Sequence, residues 1–417
     1  MLLTIIARLP WLIMVPMAEA PDEVTHAWVA KFCGEQMRLP TLSDVKAAGP
    51  TAVYGSIPPF GYLPHILALK ACPGLPPLMA LRLGSLLMSV LAVIAAYFIG
   101  RWLFLPNRLL ALALPALLVF HPQFVLVGAY TNNDITASAV ASLVLLLLLR
   151  TCEAGLKTSV SMAIGTLLAW ILLSKYSGLC LVPVALIFLA GVAWIHQASL
   201  ASLVFNLVAL VIPSFIFAGA WFYRNLIEFD GDITGTRTLH YIWTSTYHRR
   251  FDSYCSPLAI ALQSRWWRMN FFSFWGWFGY MTRSLPRLFY YGYLAFVILA
   301  FSGGFRRLRN LANDRLNGLD LSQRSRFVRP MGWLLFITLS IANLLTSLAA
   351  SSSGIAGPQG RYLFISEIPL MALILGGLAN LPPKLAKPAL WALLGFNLAT
   401  YVYSSGYLYS LYCLSKP

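Results

Sequence analysis

Apolar runs about as long as a bilayer is thick recur along this chain and constrain it more than anything else in it. A hydrocarbon core of about 30 Å is crossed by about 20 helical residues. Read with that length in mind, the sequence holds eleven candidate spans, near 2–18, 78–100, 109–128, 135–149, 159–174, 179–195, 201–221, 288–304, 331–350, 362–381 and 389–411. The expected fold class is therefore an all-α polytopic membrane protein. Its composition agrees: 59% of residues are hydrophobic, 11% are charged and the mean hydropathy is +0.72, which excludes an ordinary soluble protein. The net charge of +16 would suggest nucleic acid in a soluble chain. In a membrane protein, lysine and arginine collect in cytoplasmic loops and against anionic headgroups, so the expected partner is the lipid bilayer, with no nucleic acid.

Two long segments interrupt the spans, a first loop at 19–77 and a second at 222–287, with a shorter cationic stretch at 305–330. A cytoplasmic N-terminus places Arg101, Arg108, Arg150, Lys157, the arginines from Arg306 to Arg329, Lys384 and Lys387 inside, so every inside loop is basic. Both long loops then lie outside with eleven of the fourteen acids, Asp252 among them. Polar chemistry is expected on that outer face. The "MAEA" before Pro21 resembles a signal-peptidase site, but the charged start is weak and a proline would follow the cut, so span one is expected to stay. Cys33 with Cys72 is the candidate disulfide in the outer loops. No Cys/His spacing suggests structural zinc.

Scarce acids beside hydrocarbon are expensive and persist mainly where they meet water, a cation or a reacting group. Asp22 and Glu23 stand together straight after span one, and a helix starting past Pro21 would put Asp22 and His26 on one face with Glu23 on another. Capping of that helix and catalysis are both open readings. The same loop carries "GSIPPFGYLPHILALK", with Tyr62, His65 and an apolar stretch suited to a helix lying in the membrane surface. "TNND" offers Asn133 and Asp134, either as helix caps or as site residues. Lys175 in "SKYSG", Arg224 in "WFYRN" and Arg361 in "GRYLF" are cations at outer span ends, where positive-inside statistics do not put them; snorkelling is one reading of Lys175, and a grip on a lipid-borne phosphate is another. In the aromatic run 264–293, Trp267, Phe271, Phe274 and Phe278 recur at helical spacing beside Arg265 and Arg268. That is an interfacial belt helix, or a wall for a polyprenyl chain or a sugar face.

Taken in order, the acidic pair, "PPFGY", "NND", "KYSG", "WFYRN" with "GD-x-x-G", "SFWGWFG" and "GRYLF" resemble the GT-C superfamily of glycosyltransferases that use polyprenyl-phosphate sugars, and more particularly a bacterial branch of it. The likeness runs over nearly the whole chain and implies one GT-C-like membrane domain, 1–417. It also implies transfer of a sugar from a polyprenyl-phosphate donor to a glycan, lipid or protein acceptor, on the outer, periplasmic face of a bacterial inner membrane. The first-loop acid maps onto Asp22 or Glu23 as base, and Arg361, Arg224 and Lys175 would hold the donor phosphate. His26, Tyr62, His65, Asn133, Asp134, Asp232, Trp275 and Tyr362 would line the substrates; Asp230 is an extra acid where the branch has an aromatic followed by Gly-Asp. Direct attack by the acceptor would invert the anomeric centre. No metal ligand is assigned, although Asp22, Glu23, His26 and Asp134 could assemble a divalent-cation site. The rival readings are a lipid-linked sugar flippase or transporter, a polymerase or ligase for diphosphate-linked glycans, and a non-catalytic assembly scaffold. A transporter would carry its ionisable residues deep within the spans rather than at one face.

Overall fold

The computed structural model describes residues 1–17, 19–247, 255–315, 324–354 and 357–414. Asp252, with the rest of 248–254, and Ala18 of "MAEA" lie outside them. Among the described residues the regular structure is helical, apart from an antiparallel pair of two-residue strands, β1 (Trp277–Phe278) and β2 (Arg283–Ser284).

Helix occupies part of each of the eleven expected stretches, but fewer than eleven helices have the length and apolar character of a span. Seven segments are long and apolar enough to cross a membrane: α5 (Pro77–Phe104), α8 (Asp134–Ala154), Tyr176–Ile195 containing α10, α11 (Leu200–Glu228), the apolar part Arg287–Arg309 of α15, α16 (Val328–Ser352), and Gly360–Ala379 containing α17. Three more are shorter apolar helices, α1 (Leu2–Met14), α6 (Arg108–Phe120) and α9 (Thr158–Leu172). The last, α18 (Pro383–Tyr409), has the length but is not among the seven. The chain is thus an all-α, multi-pass membrane protein. The third expected span is divided: His121 and Pro122 end α6 and start the short α7 (Pro122–Val127).

Two buried polar pins hold that break. Arg8, fully buried in α1, donates to the carbonyls of Leu118 (3.0 Å) and Val119 (3.2 Å), which α6 leaves without intrahelical partners. His121 meets Glu367, at the start of α17 (Glu367–Ala379), over 2.6 Å. The apolar core packs around α5, α6, α8, α10 (Leu181–Ile195) and α17. By contrast α11 exposes Phe205, Ile212 and Phe215, and α15 (Arg287–Arg315) exposes Leu288, Ile298 and Phe301, as lipid-facing surfaces do.

The first loop folds into α2 (Glu23–Gln36), α3 (Leu42–Ala48), a 3-10 segment Gly49–Ser56 and α4 (Leu63–Ala71). The apolar stretch after "PPFGY" is helical as α4, with His65 buried inward while Leu63 and Leu67 stay exposed. In the second loop α12 (Thr236–Tyr247) packs on Gly49–Ser56, and α13 (Pro257–Ala261) leads into α14 (Ser264–Trp275). The expected aromatic stripe is not one helical face. α14 stops at Trp275, Phe278 belongs to β1, and Trp267 is exposed while Phe274 is buried. The buried residues of α14 are Trp266, Asn270, Ser273, Phe274 and Trp275. Cys33 and Cys72 are free thiols rather than the expected disulfide.

The sequence motifs interlock. Thr136 Oγ1 and Trp170 Nε1 donate to the carbonyls of Gly61 (2.7 Å) and Phe60 (3.1 Å), and Phe60 N–H donates to Leu173 (3.0 Å), binding "PPFGY" to α8 and α9. Asn225 Nδ2 donates to Ser56 O (3.1 Å), and Ser56 Oγ to Gly235 O (2.8 Å), binding "WFYRN" and "GDITG" to the first loop. Gly360 N–H donates to Ser273 Oγ (2.7 Å), and a Cβ on Gly360 would overlap the Phe274 backbone, which explains a glycine beside Arg361. Three distant stretches of chain therefore converge on the mouth of span one.

Candidate active site

Asp22 occupies the position before α2 in the left-handed backbone region, φ 60°. That conformation is tolerated best by Gly, Asn and Asp. Its side chain makes no capping hydrogen bond. It turns instead to Arg361, whose Nη2 donates to Asp22 Oδ2 over 2.8 Å. Around the same guanidinium, Nε donates to Gln359 Oε1 (2.7 Å), Nη1 donates to the Tyr130 hydroxyl (3.1 Å), and Asp134 Oδ2 lies 3.5 Å from Nη1. The Lys175 ammonium pairs with Asp134 Oδ1 and lies 4.5 Å from the centre of the Tyr362 ring. Lys175 thus points into the cluster and does not snorkel. Four expected residues far apart in sequence, Asp22, Asp134, Lys175 and Arg361, form one alternating chain of charges with Tyr362 beside it.

Its environment is largely dry, and that decides protonation. Burial alone would push the Asp22 carboxyl up, but the Arg361 guanidinium and hydrogen bonds from Arg361 and Tyr54 hold it below the ordinary aspartate value. Burial, then the nearby Arg361, pushes the Lys175 ammonium well below its usual value. His26, one turn along α2 from Asp22, is driven by burial to about 3 and is neutral at physiological pH. Burial also raises the Tyr62 phenol, so its O–H is the donor to His26 Nδ1, at 2.6 Å. The His26 proton then sits on Nε2, and its ring lies 4.7 Å from that of Tyr54.

Glu23 does something different from its neighbour. It is fully buried, and its two oxygens accept from Arg82 Nε (2.8 Å), Arg82 Nη2 (2.5 Å) and the Thr131 N–H (2.8 Å). Arg82 Nη1 in turn donates to the carbonyls of Leu12 (2.7 Å) and Val15 (2.9 Å) at the end of α1. The pair ties α1, α2, α5 and the Tyr130 loop together. Glu23 is thus held by Arg82 and the Thr131 N–H, and none of its hydrogen bonds goes to the Asp22–Arg361 cluster.

Other expected site residues also lie elsewhere. Arg224 donates to Pro40 O (2.6 Å) and Asn225 Oδ1 (3.3 Å) and packs on Trp221 and Phe229, away from Arg361's partners. Asp232 accepts from the Thr238 N–H (2.7 Å) at the start of α12. Asn133 binds the Ser174 carbonyl (2.9 Å), while Asn132 Oδ1 caps α8 by accepting from Ile135 N–H (3.0 Å). His65 meets Ser85 (2.9 Å), and burial holds it at about 3. Trp275 stacks on Tyr293 with ring centres 3.7 Å apart. In each case the observed contact is a packing or capping one. Sequence reasoning missed Tyr54, Tyr130, Gln359, Arg82 and Tyr280, whose hydroxyl accepts from the Asp22 N–H (3.0 Å). Gln359 and Tyr130 stand directly before "GRYLF" and "TNND", and Tyr280 lies in the aromatic run, whereas Tyr54 and Arg82 belong to none of the motifs.

The residues weighed as a divalent-cation set do not fit one. Glu23's oxygens belong to Arg82 and Thr131, His26 Nδ1 to Tyr62, and both remaining carboxylates are paired with cations.

Residues 73–221 match the family model described as dolichyl-phosphate-mannose-protein mannosyltransferase. That stretch holds Arg82, Tyr130, Asp134 and Lys175, and omits Asp22 and Arg361. No relative among curated proteins matches by sequence. Among solved structures, ArnT from Cupriavidus metallidurans bound to undecaprenyl phosphate is similar over 100% of this chain and 65% of its own length, with 16% identity and a TM-score of 0.54. The Archaeoglobus fulgidus oligosaccharyltransferase in its apo form is similar over 97% of this chain and 55% of its own length, at 12% identity and a TM-score of 0.51. The chain thus spans under two thirds of the structures it matches. Its whole-length likeness to both, with the family model inside it, identifies the fold as that of the GT-C superfamily.

Proposed function

We propose that this chain is a membrane glycosyltransferase that moves a sugar from a polyprenyl-phosphate donor to a hydroxyl of a glycan, lipid or protein acceptor, with inversion, on the outer face of a bacterial inner membrane. The observation that supports this reading is the 2.8 Å contact between the Asp22 carboxylate and the Arg361 guanidinium, groups suited to act as base and as phosphate-binding fork. The description of the family model and the undecaprenyl phosphate bound to ArnT support the donor class.

The acceptor oxygen attacks the anomeric carbon as the bond from that carbon to the phosphate oxygen breaks. The bonding pair leaves with the phosphate, and the acceptor proton passes to an Asp22 carboxylate oxygen. A phosphodiester with one negative charge becomes a monophosphate with a second, so stabilisation is needed where charge develops. Arg361 and Lys175 supply it, and Tyr362 fixes their directions through its ring face. Tyr54 hydrogen-bonds the Asp22 carboxylate, and Tyr130 braces Arg361. Glu23, committed to Arg82, leaves Asp22 as the base.

The test is sugar transfer from a synthetic polyprenyl-phosphate donor in detergent by the parent, Asp22→Asn and Arg361→Ala. Turnover is expected to fall about 10²- to 10⁴-fold in Asp22→Asn, the usual contribution of a positioned base. Undiminished turnover in both variants would sink the reading.

A further inference from the structure

We propose that the donor phosphate and the Asp22 carboxylate compete for Arg361, so that donor binding itself frees the base. This inference rests on the glycosyltransferase reading above and adds the order of events at its site.

The guanidinium carries five N–H groups in a fixed plane. Nε is held by Gln359, Nη1 by Tyr130 with Asp134 alongside, and Nη2 by Asp22. A phosphate gripped by the fork needs a neighbouring pair of those N–H groups. Asp22 is the carboxylate already seated on Nη2, and a carboxylate offers the same acceptor oxygens as a phosphate.

Charge leads to the same exchange. Even with Lys175 fully protonated, Asp22 and Asp134 cancel Arg361 and Lys175, so the cluster has no net positive charge for an arriving anion. A buried site charged −1 is costly. Displacing Asp22 gives Arg361 to the phosphate, and the freed carboxylate becomes neutral when it takes the acceptor proton. The charge that the phosphate gains in the reaction is the charge that Asp22 loses.

The backbone is arranged for a side-chain swing rather than a loop movement. Asp22 N–H is held by Tyr280, and its carbonyl accepts from Thr25 Oγ1 (2.7 Å) and the His26 N–H (3.0 Å). The Tyr54 hydroxyl faces the carboxylate and would keep it within the site after Arg361 lets go.

Binding of a short-chain polyprenyl monophosphate to the full chain in detergent tests the exchange, with the parent polyprenol as the uncharged control. Asn suits the left-handed backbone at 22 and fills the same volume, and Asp22→Ser serves as the second variant. Both are expected to bind the monophosphate at least about five-fold more tightly than the parent, the lower end of ordinary coupling between sites. That gain should disappear in the Asp22→Asn/Arg361→Ala double variant and should not appear with polyprenol. Equal or weaker binding by both Asp22 variants, with Arg361→Ala still weakening the parent, would leave Arg361 as the phosphate arm and overturn the competition. A gain that survives loss of Arg361 would overturn it too. If Arg361→Ala binds the monophosphate as well as the parent does, the reading of Arg361 as phosphate arm fails first and the exchange falls with it.

Discussion

Asp22 and Glu23 are neighbours of the same chemical type, yet one side chain faces Arg361 at the rim of the cluster and the other is sealed against Arg82. Their substitutions should separate cleanly. Glu23→Gln leaves a buried guanidinium uncompensated and is expected to cost about 3–5 kcal/mol of stability. Asp22→Asn, which leaves Asp134 beside Arg361, should lower the melting temperature less than Glu23→Gln while turnover collapses, and thermal unfolding beside the transfer assay reads both. Arg361→Lys is expected to lose most of the phosphate affinity despite keeping the charge, because an ammonium cannot hold Gln359, Tyr130 and an anion at fixed angles. The groups facing Asp22 are Arg361, His26, Tyr54 and, farther off, Lys175. In the free protein they hold its pKa below the ordinary value; with Arg361 taken by phosphate, that pull weakens and the pKa rises. The acid limb of kcat, which reports the donor complex, should therefore lie at higher pH than that of kcat/KM. Coincident limbs would mean that Asp22 keeps Arg361 throughout.

Among the elements, the 3-10 segment Gly360–Ser366 has most to do with the site, because it carries Arg361 and Tyr362. Its position depends on α14, through the Ser273 hydroxyl and the backbone approach that only a glycine at 360 permits. Gly360→Ala should force these segments apart at about 1–3 kcal/mol, the usual cost of overpacking, and weaken monophosphate binding together with the melting temperature. Ser273→Ala removes one hydrogen bond and should cost about 1 kcal/mol. If Gly360→Ala bound monophosphate like the parent, α14 would not be what places Arg361. The element assignments were readable from sequence wherever apolar length dictated them, as in α5, α8 and α11. The aromatic run was not, because helical spacing continued on paper through Gly276, where the backbone leaves the helix and sends Phe278 into a hairpin.

For the whole molecule, two buried neutral histidines in the first loop set the response to acid. His26 and His65 are each held at about 3, against 6.5 when unfolded. Between those values the unfolded chain binds protons that the folded one refuses, so stability falls as pH drops from 6.5 toward 3, by up to about 1.4 kcal/mol per pH unit for each histidine. The melting temperature in detergent should decline from pH 7 to pH 5, and His26→Gln with His65→Gln should flatten the decline. The sequence by itself determined the solvent this protein lives in, the places of its long apolar helices and the short list of acids and cations able to do chemistry, because apolar length and misplaced charge are properties of local composition. Only the tertiary structure decided that Asp22 meets Arg361 while Glu23 meets Arg82, that Asn132 rather than Asn133 caps α8, and that Arg224 grips Pro40 instead of the cluster. Each of those choices turns on which way a side chain points once the packed segments fix its surroundings, and no spacing along one segment contains that direction.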